Sequence, residues 1–365
     1  MRDLAIHDND LIVATHGRAF WVLDDITPLR QMQGAVQSAP AFLFRPAPAW
    51  RIRRDTNTDT PLPPDEPAGK NPPDGAVIDY VLGQTLHAPV TLEILDKDGN
   101  VVRRWSSADA PENTPEELEK QLIPLYWLRR PHTLSAQPGM HRWVWDLHAT
   151  APVSTQRSYP IAAVPHDTPQ VPQGPLALPG TYTVRLTVDG KHYTAPLTVK
   201  MDPRVHAGPS ALAAQYAAET RLAASLTATS NALLEARSMQ QQLGAVPAAS
   251  AAYKTAQDAL KGISAILEGT GPKTPQAPAM PGLERTNGRL GTLYGEIGMA
   301  DSAPTAAEQQ ATSATLRDAA TGMQRWSAWK QTTLPLLDQA LRSAGLKEID
   351  PTAKAAITLG AGDED

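Results

Sequence analysis

Short apolar runs separated by turn residues mark the first 30 residues of the chain. Residues 11–14 read LIVA and residues 20–23 read FWVL, with the turn sequence THGR between them at 15–18. Apolar runs that are bounded by turn residues predict two strands joined as a hairpin. Because an isolated hairpin is only marginally stable in water, we expect residues 1–30 to dock on another structure.

The next segment is rich in proline. Nine of the 34 prolines lie between residues 40 and 75. Proline fixes the backbone angle φ and removes a hydrogen-bond donor from the main chain. We therefore predict that residues 31–75 form an extended connector.

Six strand-like segments follow the connector, at residues 76–82, 90–95, 101–105, 141–147, 182–188 and 192–199. Asp189 and Gly190, between the last two segments, predict a type I′ turn, because Asp-Gly tolerates the positive φ that this turn needs. No periodic helix separates the strands, so the pattern favours an antiparallel sheet over a parallel α/β sheet. We predict an antiparallel β-sandwich of the Ig/fibronectin-III-like type over residues 76–202.

A helical pattern replaces the strand pattern after residue 203. Alanine becomes frequent, and leucines recur three or four positions apart, which predicts amphipathic helices. The predicted helices cover residues 209–243, 250–268, 284–297 and 304–344, and Gly244 and Pro247 fit the end of the first. The pattern is typical of an all-α up-down helical bundle over residues 205–346. Residues 347–365 are predicted to be a disordered tail.

Composition and charge exclude several classes of function. The chain has 365 residues, a net charge of −5 and no run of Lys and Arg, so nucleic-acid binding is not expected. It contains no cysteine, which excludes disulfides, thiolate nucleophiles and cysteine-ligated zinc. No apolar stretch approaches the roughly 20 residues of a membrane span. The acidic N-terminus is unlike a signal peptide, so the chain as written is expected to stay in the cytoplasm.

One cluster near the N-terminus has the residue types of acid–base chemistry. His16 with Asp24 and Asp25 combines an imidazole with two carboxylates. We favour the alternative that His16 lies in the hairpin turn and that the aspartates end the second strand, because no nucleophile is nearby. Strand alternation places His141 and His148 on opposite faces, so these two are not expected to share a metal ion.

An aromatic and basic segment precedes Pro131. Tyr126, Trp127, Arg129 and Arg130 form a candidate ligand surface, since aromatic rings beside polar groups are suited to holding sugars. The alternative, which we favour, is that Trp127 closes an edge of the sandwich. The sequence has no nucleophile-elbow, P-loop or dinucleotide-binding motif. We therefore assign no catalytic residue, no cofactor and no metal site.

The residues also resemble a known family over essentially the whole chain. Residues 3–29, DLAIHDNDLIVATHGRAFWVLDDITPL, are similar to the last blade of the bacterial sortilin-like and sialidase-like (BNR-repeat) β-propeller proteins, which are often labelled glycosyl hydrolases. Residues 126–147 and 178–205 resemble parts of the sandwich that follows their propeller. The sequence RLGTLYGEI at 289–297 and residues 326–341 resemble their helical tail.

The resemblance implies a function and a partner. Catalytic carboxylates of such a protein would lie on preceding propeller blades, and no family catalytic residue matches a position here. The resemblance implies a non-catalytic accessory region with residues 1–30 as the remnant of a blade, a separate propeller domain as its partner, and family members exported to the periplasm or outside the cell. Two alternatives stay open: a glycoside hydrolase or sialidase-like enzyme acting on polysaccharide, and a carbohydrate- or protein-binding module.

Overall fold

The computed structural model has mixed β and α structure and describes residues 2–32, 34, 36, 39–53, 63, 65, 66, 69, 72–130, 132–161, 164, 166–270, 280–357 and 359. The chain divides into two compact units. The first, called the β unit, comprises Met1–Thr150, Ile161–Pro169 and Leu176–His206. The second, called the helical unit, comprises Ala151–Pro160, Gln170–Pro175 and Ala207–Asp365.

Three short strands form a separate antiparallel sheet at the beginning of the β unit, called the N-terminal sheet. Its strands are β1 (Asp3–His7), β2 (Asp10–Ala14) and β3 (Phe20–Leu23), in the order β1-β2-β3. The two predicted strands are present as β2 and β3. Sequence analysis missed β1, although Leu4 and Ile6 alternate with polar or small residues as a strand requires.

Two larger sheets make up most of the β unit. One has the order β5-β11-β10-β7-β8 and the other the order β4-β6-β9, and β5–β11 is the one parallel pair among them. The strands are β4 (Ala41–Leu43), β5 (Ala49–Arg51), β6 (Ala76–Leu82), β7 (Thr91–Leu95), β8 (Val101–Ser106), β9 (Gly139–Trp145), β10 (Gly180–Val188) and β11 (Lys191–Met201). All six predicted strands are present. The predicted Asp-Gly turn is confirmed by positive φ at Asp189 (45°) and Gly190 (77°).

The predicted connector over residues 31–75 is partly wrong. Its beginning contains the end of α1 (Thr27–Gln31), and β4 and β5 lie within it. Ala41, Leu43 and Ala49 are buried in the core of the β unit. The burial of these apolar side chains stabilises two short strands here, despite the neighbouring prolines. Residues 33, 35, 37, 38, 54–62, 64, 67, 68, 70 and 71 of this range lie outside the described residues.

One hydrophobic core joins the two larger sheets. Ile78 of β6 and Leu92 of β7 are both fully buried in it. Trp145 at the end of β9 is also fully buried, packs edge-on against Tyr182 at 5.5 Å between ring centroids, and donates its indole N–H to the His148 carbonyl at 2.8 Å. The hydrogen bond satisfies the polar atom of Trp145, so the ring can fill the centre of the core without an unpaired donor. A short helix, α2 (Pro115–Glu119), lies between β8 and β9.

The turn after β11 gives the β unit a specific sensitivity to acid. The Asp202 carboxylate accepts hydrogen bonds from the Arg204 side chain at 2.6–3.2 Å and from its backbone N–H at 2.9 Å. These bonds lower the pKa of Asp202 from 3.8 to about 2, and the bonds from the Arg204 side chain have the largest effect.

Because the folded-state pKa is depressed, the Asp202–Arg204 contact stabilises the folded state fully above pH 3.8, and this stabilisation is lost as the pH falls towards about 2. We expect Asp202→Asn to lose less stability than the natural chain between about pH 4 and pH 2, measured as urea midpoints. Equal losses in both proteins would contradict this role.

Five longer helices form most of the helical unit. They are α3 (Pro209–Gly244), α4 (Tyr253–Leu267), α5 (Leu283–Gly298), α6 (Ala306–Thr332) and α7 (Leu334–Ser343), with a two-stranded ladder of β12 (Gly269–Thr270) and β13 (Met280–Pro281). The single helix predicted over 304–344 is wrong: Pro335 in the first turn of α7 cannot donate the next helical hydrogen bond, and the helix breaks at Thr333. Across the described residues, no helix is both long and apolar enough to cross a membrane.

The predicted disordered tail over 347–365 is wrong for its first part. Ile349 is buried in the hydrophobic core of the helical unit. The Ala355 N–H donates to the Leu234 carbonyl at 3.0 Å, and the Asp350 N–H donates to the Gln242 side chain at 2.8 Å. An apolar anchor and backbone hydrogen bonds therefore hold this segment on α3, while residues 358 and 360–365 lie outside the described residues.

The predicted sandwich range of 76–202 is too long. Residues 151–160 and 170–175 belong to the helical unit. The Val153 N–H donates to the Thr227 hydroxyl at 3.1 Å, and the Tyr294 hydroxyl donates to the Gln173 carbonyl at 2.6 Å. The two segments also pair with each other, because Ser158 and Val171 form an antiparallel bridge. They therefore do not extend either sheet of the β unit.

Candidate functional site

The N-terminal sheet gathers apolar side chains on one face. Directly opposite residues of antiparallel strands project to the same face. The strand registers therefore place one side chain from each strand in two rows: Leu4, Val13 and Trp21, and Ile6, Leu11 and Leu23. Exposure is 48% for Leu4, 63% for Ile6, 62% for Trp21 and 48% for Leu23. We call this surface the tryptophan face.

The opposite face of the N-terminal sheet is apolar at its centre and on β3, and carries Asp3, His7 and Asp10 at its ends. Ala5, Ile12 and Val22 form its central row, and Phe20 lies beside Ala14 in the next row. Phe20 is 75% exposed and Val22 is 54% exposed. An antiparallel sheet that packs on one core normally carries polar side chains on its other face. Apolar side chains on both faces are instead typical of a sheet that is covered from both sides.

Arg142 attaches the N-terminal sheet to the rest of the β unit. Its guanidinium donates to the two carboxylate oxygens of Asp79, at 2.9 and 3.0 Å, and to the backbone carbonyls of Asp24 and Asp25, both at 3.0 Å. The Asp25 N–H also donates to the Asp10 carboxylate at 3.0 Å. Arg142 therefore joins the residues that leave β3 to β6 and β9.

Asp79 is the buried member of this attachment, with its side chain 3% exposed. Burial raises the pKa of Asp79, and the hydrogen bonds and charge of Arg142 act in the opposite direction. The hydrogen bond to Asp79 in turn raises the pKa of Arg142. Desolvation therefore raises the pKa of Asp79 by more than the hydrogen bonds and charge of Arg142 lower it.

The predicted ligand surface lies on a short segment that pairs with residues 166–168. Leu128 forms a parallel bridge with Thr168. The Tyr126 ring lies edge-on to the Trp127 ring at 6.1 Å and to the His166 ring at 6.5 Å, measured between centroids. The two aromatic residues of the predicted surface are thus in contact with each other.

The two arginines of this predicted surface differ in their surroundings. Arg129 donates to Asp167 at 2.6 Å and to Asp146 at 3.0 Å, so its guanidinium is already engaged by two carboxylates. Arg130 is exposed. The indole N–H of Trp127 is buried and has no acceptor among the described residues. Whether Tyr126, Trp127, Arg129 and Arg130 bind a ligand stays a prediction.

The structure does not assemble His16, Asp24 and Asp25 into a catalytic group. His16 lies 3.3 Å from the Arg2 guanidinium through its Nδ1 atom. The Asp25 carboxylate accepts the Thr27 N–H at 3.0 Å, and Asp24 contributes its backbone carbonyl to Arg142. Neither carboxylate is hydrogen-bonded to His16 in the part of the chain that the structure describes.

His141 and His148 likewise serve local contacts. The Nε2 atom of His141 lies 2.6 Å from the Gln137 carbonyl, and the His148 carbonyl accepts the indole N–H of Trp145. Within the described ranges, no group of three His, Asp or Glu side chains is placed to hold a metal ion.

The described residues form two units of mixed β and α structure, and the N-terminal sheet carries six of their exposed large apolar side chains. No protein-family model, curated protein or solved structure matches the chain. Sequence reasoning missed two parts of this site. The alternation of apolar residues in β1 could have been recognised in the sequence. The contact between Arg142 and Asp79 joins residues 63 positions apart, and no local sequence pattern indicates it.

Proposed function

We propose that this chain is a non-catalytic accessory region that docks through its N-terminal sheet onto a β-propeller of the sialidase-like type. The observation that carries the proposal is the pair of exposed apolar faces on that sheet. Covering both faces requires an occupant on each side. Sheets stack face to face about 10 Å apart, so a partner made of β-sheets meets this need with a single kind of packing.

The resemblance of residues 3–29 to a propeller blade supports the same partner. Propellers arrange four-stranded blades radially, which leaves each blade with neighbours on both faces. The N-terminal sheet has three strands and carries apolar side chains on both faces. Its two faces therefore fit a blade that is covered by other sheets.

The rest of the chain would act as the support for this sheet. We assign the two larger sheets to an Ig/fibronectin-III-like sandwich, because they are mainly antiparallel and share one core. We assign α3 to α7 to an up-down bundle. In this proposal Arg142 binds the residues that follow β3 to the sandwich. The N-terminal sheet is therefore held at a defined position and not joined only by a flexible linker.

Amide hydrogen exchange of the isolated chain tests whether the N-terminal sheet lacks a cover. We expect the amides of β1 to β3 to exchange far faster than those of β10 and β11, because three uncovered strands open readily. The core strands β10 and β11 serve as the internal control. Protection of β1 to β3 equal to that of β10, at a concentration where the chain is monomeric, would contradict the proposal.

A binding measurement tests the partner. The probe is a BNR-repeat propeller whose own last blade has been deleted. We expect the natural chain to bind it and Ile6→Glu to lose binding, because a charge would be buried on the tryptophan face. Met299→Glu is the matched control, since Met299 is 77% exposed in the helical unit. Absence of binding by the natural chain, or equal binding by Ile6→Glu, would refute the proposed docking.

A further inference from the structure

The outer edge of β3 offers unpaired backbone groups. The Thr15 N–H donates to the Ala19 carbonyl at 3.2 Å, which fixes the hydrogen-bonding phase of the β2–β3 pair. Hydrogen-bonded pairs alternate along antiparallel strands, so the N–H and C=O groups of Trp21 and Leu23 point towards β2. The N–H and C=O groups of Phe20 and Val22 therefore point away from β2, on the side where none of the described strands pairs with β3.

The β3 edge lacks the features that normally prevent a strand from pairing with another chain. Soluble proteins protect edge strands with lysine, proline, a bulge or an inward-pointing charge. β3 reads Phe-Trp-Val-Leu over residues 20–23 and has a regular register with β2. The other outer strand, β1, begins with Asp3 and ends with His7. The free edge of β3 is thus the apolar one of the two.

Opposite charges lie at the two ends of β3. Arg18 precedes the strand and is exposed, and Asp24 follows it. Among the described residues, neither the Arg18 guanidinium nor the Asp24 carboxylate makes a hydrogen bond or an ion pair. A strand with a positive beginning and a negative end is complementary to an antiparallel copy of itself, because each end then meets the opposite charge.

We propose that two copies of this chain associate by antiparallel pairing of β3 with β3 around a twofold axis at Trp21. Phe20 then exchanges backbone hydrogen bonds with Val22 of the second copy, and the two Trp21 side chains lie opposite each other. The result is one six-stranded sheet with the tryptophan face continuous across both copies. Arg18 of each copy lies near Asp24 of the other.

This inference concerns the edge of the N-terminal sheet and does not rest on the proposed propeller partner. That partner covers the faces of the sheet, whereas the second copy uses the backbone groups of Phe20 and Val22. A chain that associates with itself but ignores the propeller probe would support the inference and refute the proposed function. A chain that binds the propeller probe but stays monomeric would support the proposed function and refute the inference.

Sedimentation equilibrium of the full chain tests the association. The pairing is short, so a weak dimer is expected, with the average mass rising towards twice the monomer mass between about 10 µM and 1 mM. Exchange of the Phe20 and Val22 amides should slow as concentration rises, while that of the Ile6 amide in β1 stays unchanged. A chain that remains monomeric at about 1 mM would overturn the proposal, and so would dimerisation without protection of Phe20 and Val22.

Charge reversal tests the antiparallel geometry. Arg18→Asp and Asp24→Arg should each weaken association about tenfold, because two attractive pairs become two repulsive pairs. The double variant restores opposite charges and should recover the natural association. Arg285→Asp, at an exposed arginine of α5, changes the net charge as Arg18→Asp does and should have no effect. Failure of the double variant to recover, with its urea midpoint unchanged, would overturn the twofold pairing.

Discussion

Replacing Arg142 by alanine is expected to lower the free energy of unfolding of the β unit by about 2–4 kcal/mol. Removing one partner of a buried ion pair typically costs about 3–5 kcal/mol, because the remaining charge is left buried and unpaired. The Asp79 side chain is 3% exposed, but that of Arg142 is 35% exposed. Water that reaches the vacated position will solvate the carboxylate in part, so the lower range applies.

Urea denaturation with a reporter in the β unit measures this loss. Asp79→Asn in the Arg142→Ala background should recover part of it, since the unpaired charge is then gone. Lys97→Ala is the control, because Lys97 pairs with Asp98 at an exposed position and should change stability little. A loss for Arg142→Ala no larger than that for Lys97→Ala would show that the buried pair does not hold this unit together.

The same variant should respond to pH in a defined direction. Burial already raises the pKa of Asp79, and Arg142 opposes that rise. Without Arg142 the folded-state pKa of Asp79 rises further, so the folded state binds a proton more readily than the unfolded chain does. Stability then falls as the pH rises through the folded-state pKa. The deficit of Arg142→Ala relative to the natural chain should therefore shrink on acidification.

Replacing Trp145 by alanine is expected to lower the free energy of unfolding of the β unit by about 3–5 kcal/mol, the usual range for a large aromatic side chain removed from a core. Trp145 is fully buried, and its ring packs against Tyr182. The substitution also leaves the His148 carbonyl without the indole donor. The lost contacts and the cavity both contribute to the expected loss.

Trp21→Ala is the matched comparison for Trp145→Ala. Trp21 is 62% exposed on the tryptophan face, so its removal from the monomeric chain should change stability by no more than about 0.5 kcal/mol. Equilibrium unfolding of both variants at the same low concentration measures the contrast. A loss for Trp21→Ala that approaches the loss for Trp145→Ala would mean that the tryptophan face is covered within the chain itself.

Much of the fold follows from local signals. The Asp189–Gly190 turn demands positive φ, and the structure has it at both positions. The regular apolar spacing of α3 predicted residues 209–243 as helical, and the helix runs from Pro209 to Gly244. The split between α6 and α7 was readable as well, because Pro335 interrupts the helical pattern.

Other features had no local signal. β4 and β5 are three residues long, and their strand structure depends on partners that are 37 to 150 positions away. Ile349 follows the last helix without any pattern of its own, and its burial depends on the helices around it. At the candidate site, the apolar runs of β2 and β3 were evident in the sequence. The exposure of the two faces of the N-terminal sheet could not be predicted, because it depends on which surfaces the rest of the chain covers.

The attachment by Arg142 uses backbone groups of the segment that follows the N-terminal sheet, so a different sheet could be attached in the same way. Arg142 binds the backbone carbonyls of residues 24 and 25, and every amino acid supplies a carbonyl there. The Arg142 contact therefore does not depend on the side chains of residues 24 and 25, whereas the φ of 52° at Asp25 and its N–H bond to the Asp10 carboxylate limit which residues fit there. A foreign three-stranded sheet that ends in two similarly placed carbonyls could be grafted at this junction and held by the same guanidinium. The β unit would then carry a different sheet at the position of the N-terminal sheet.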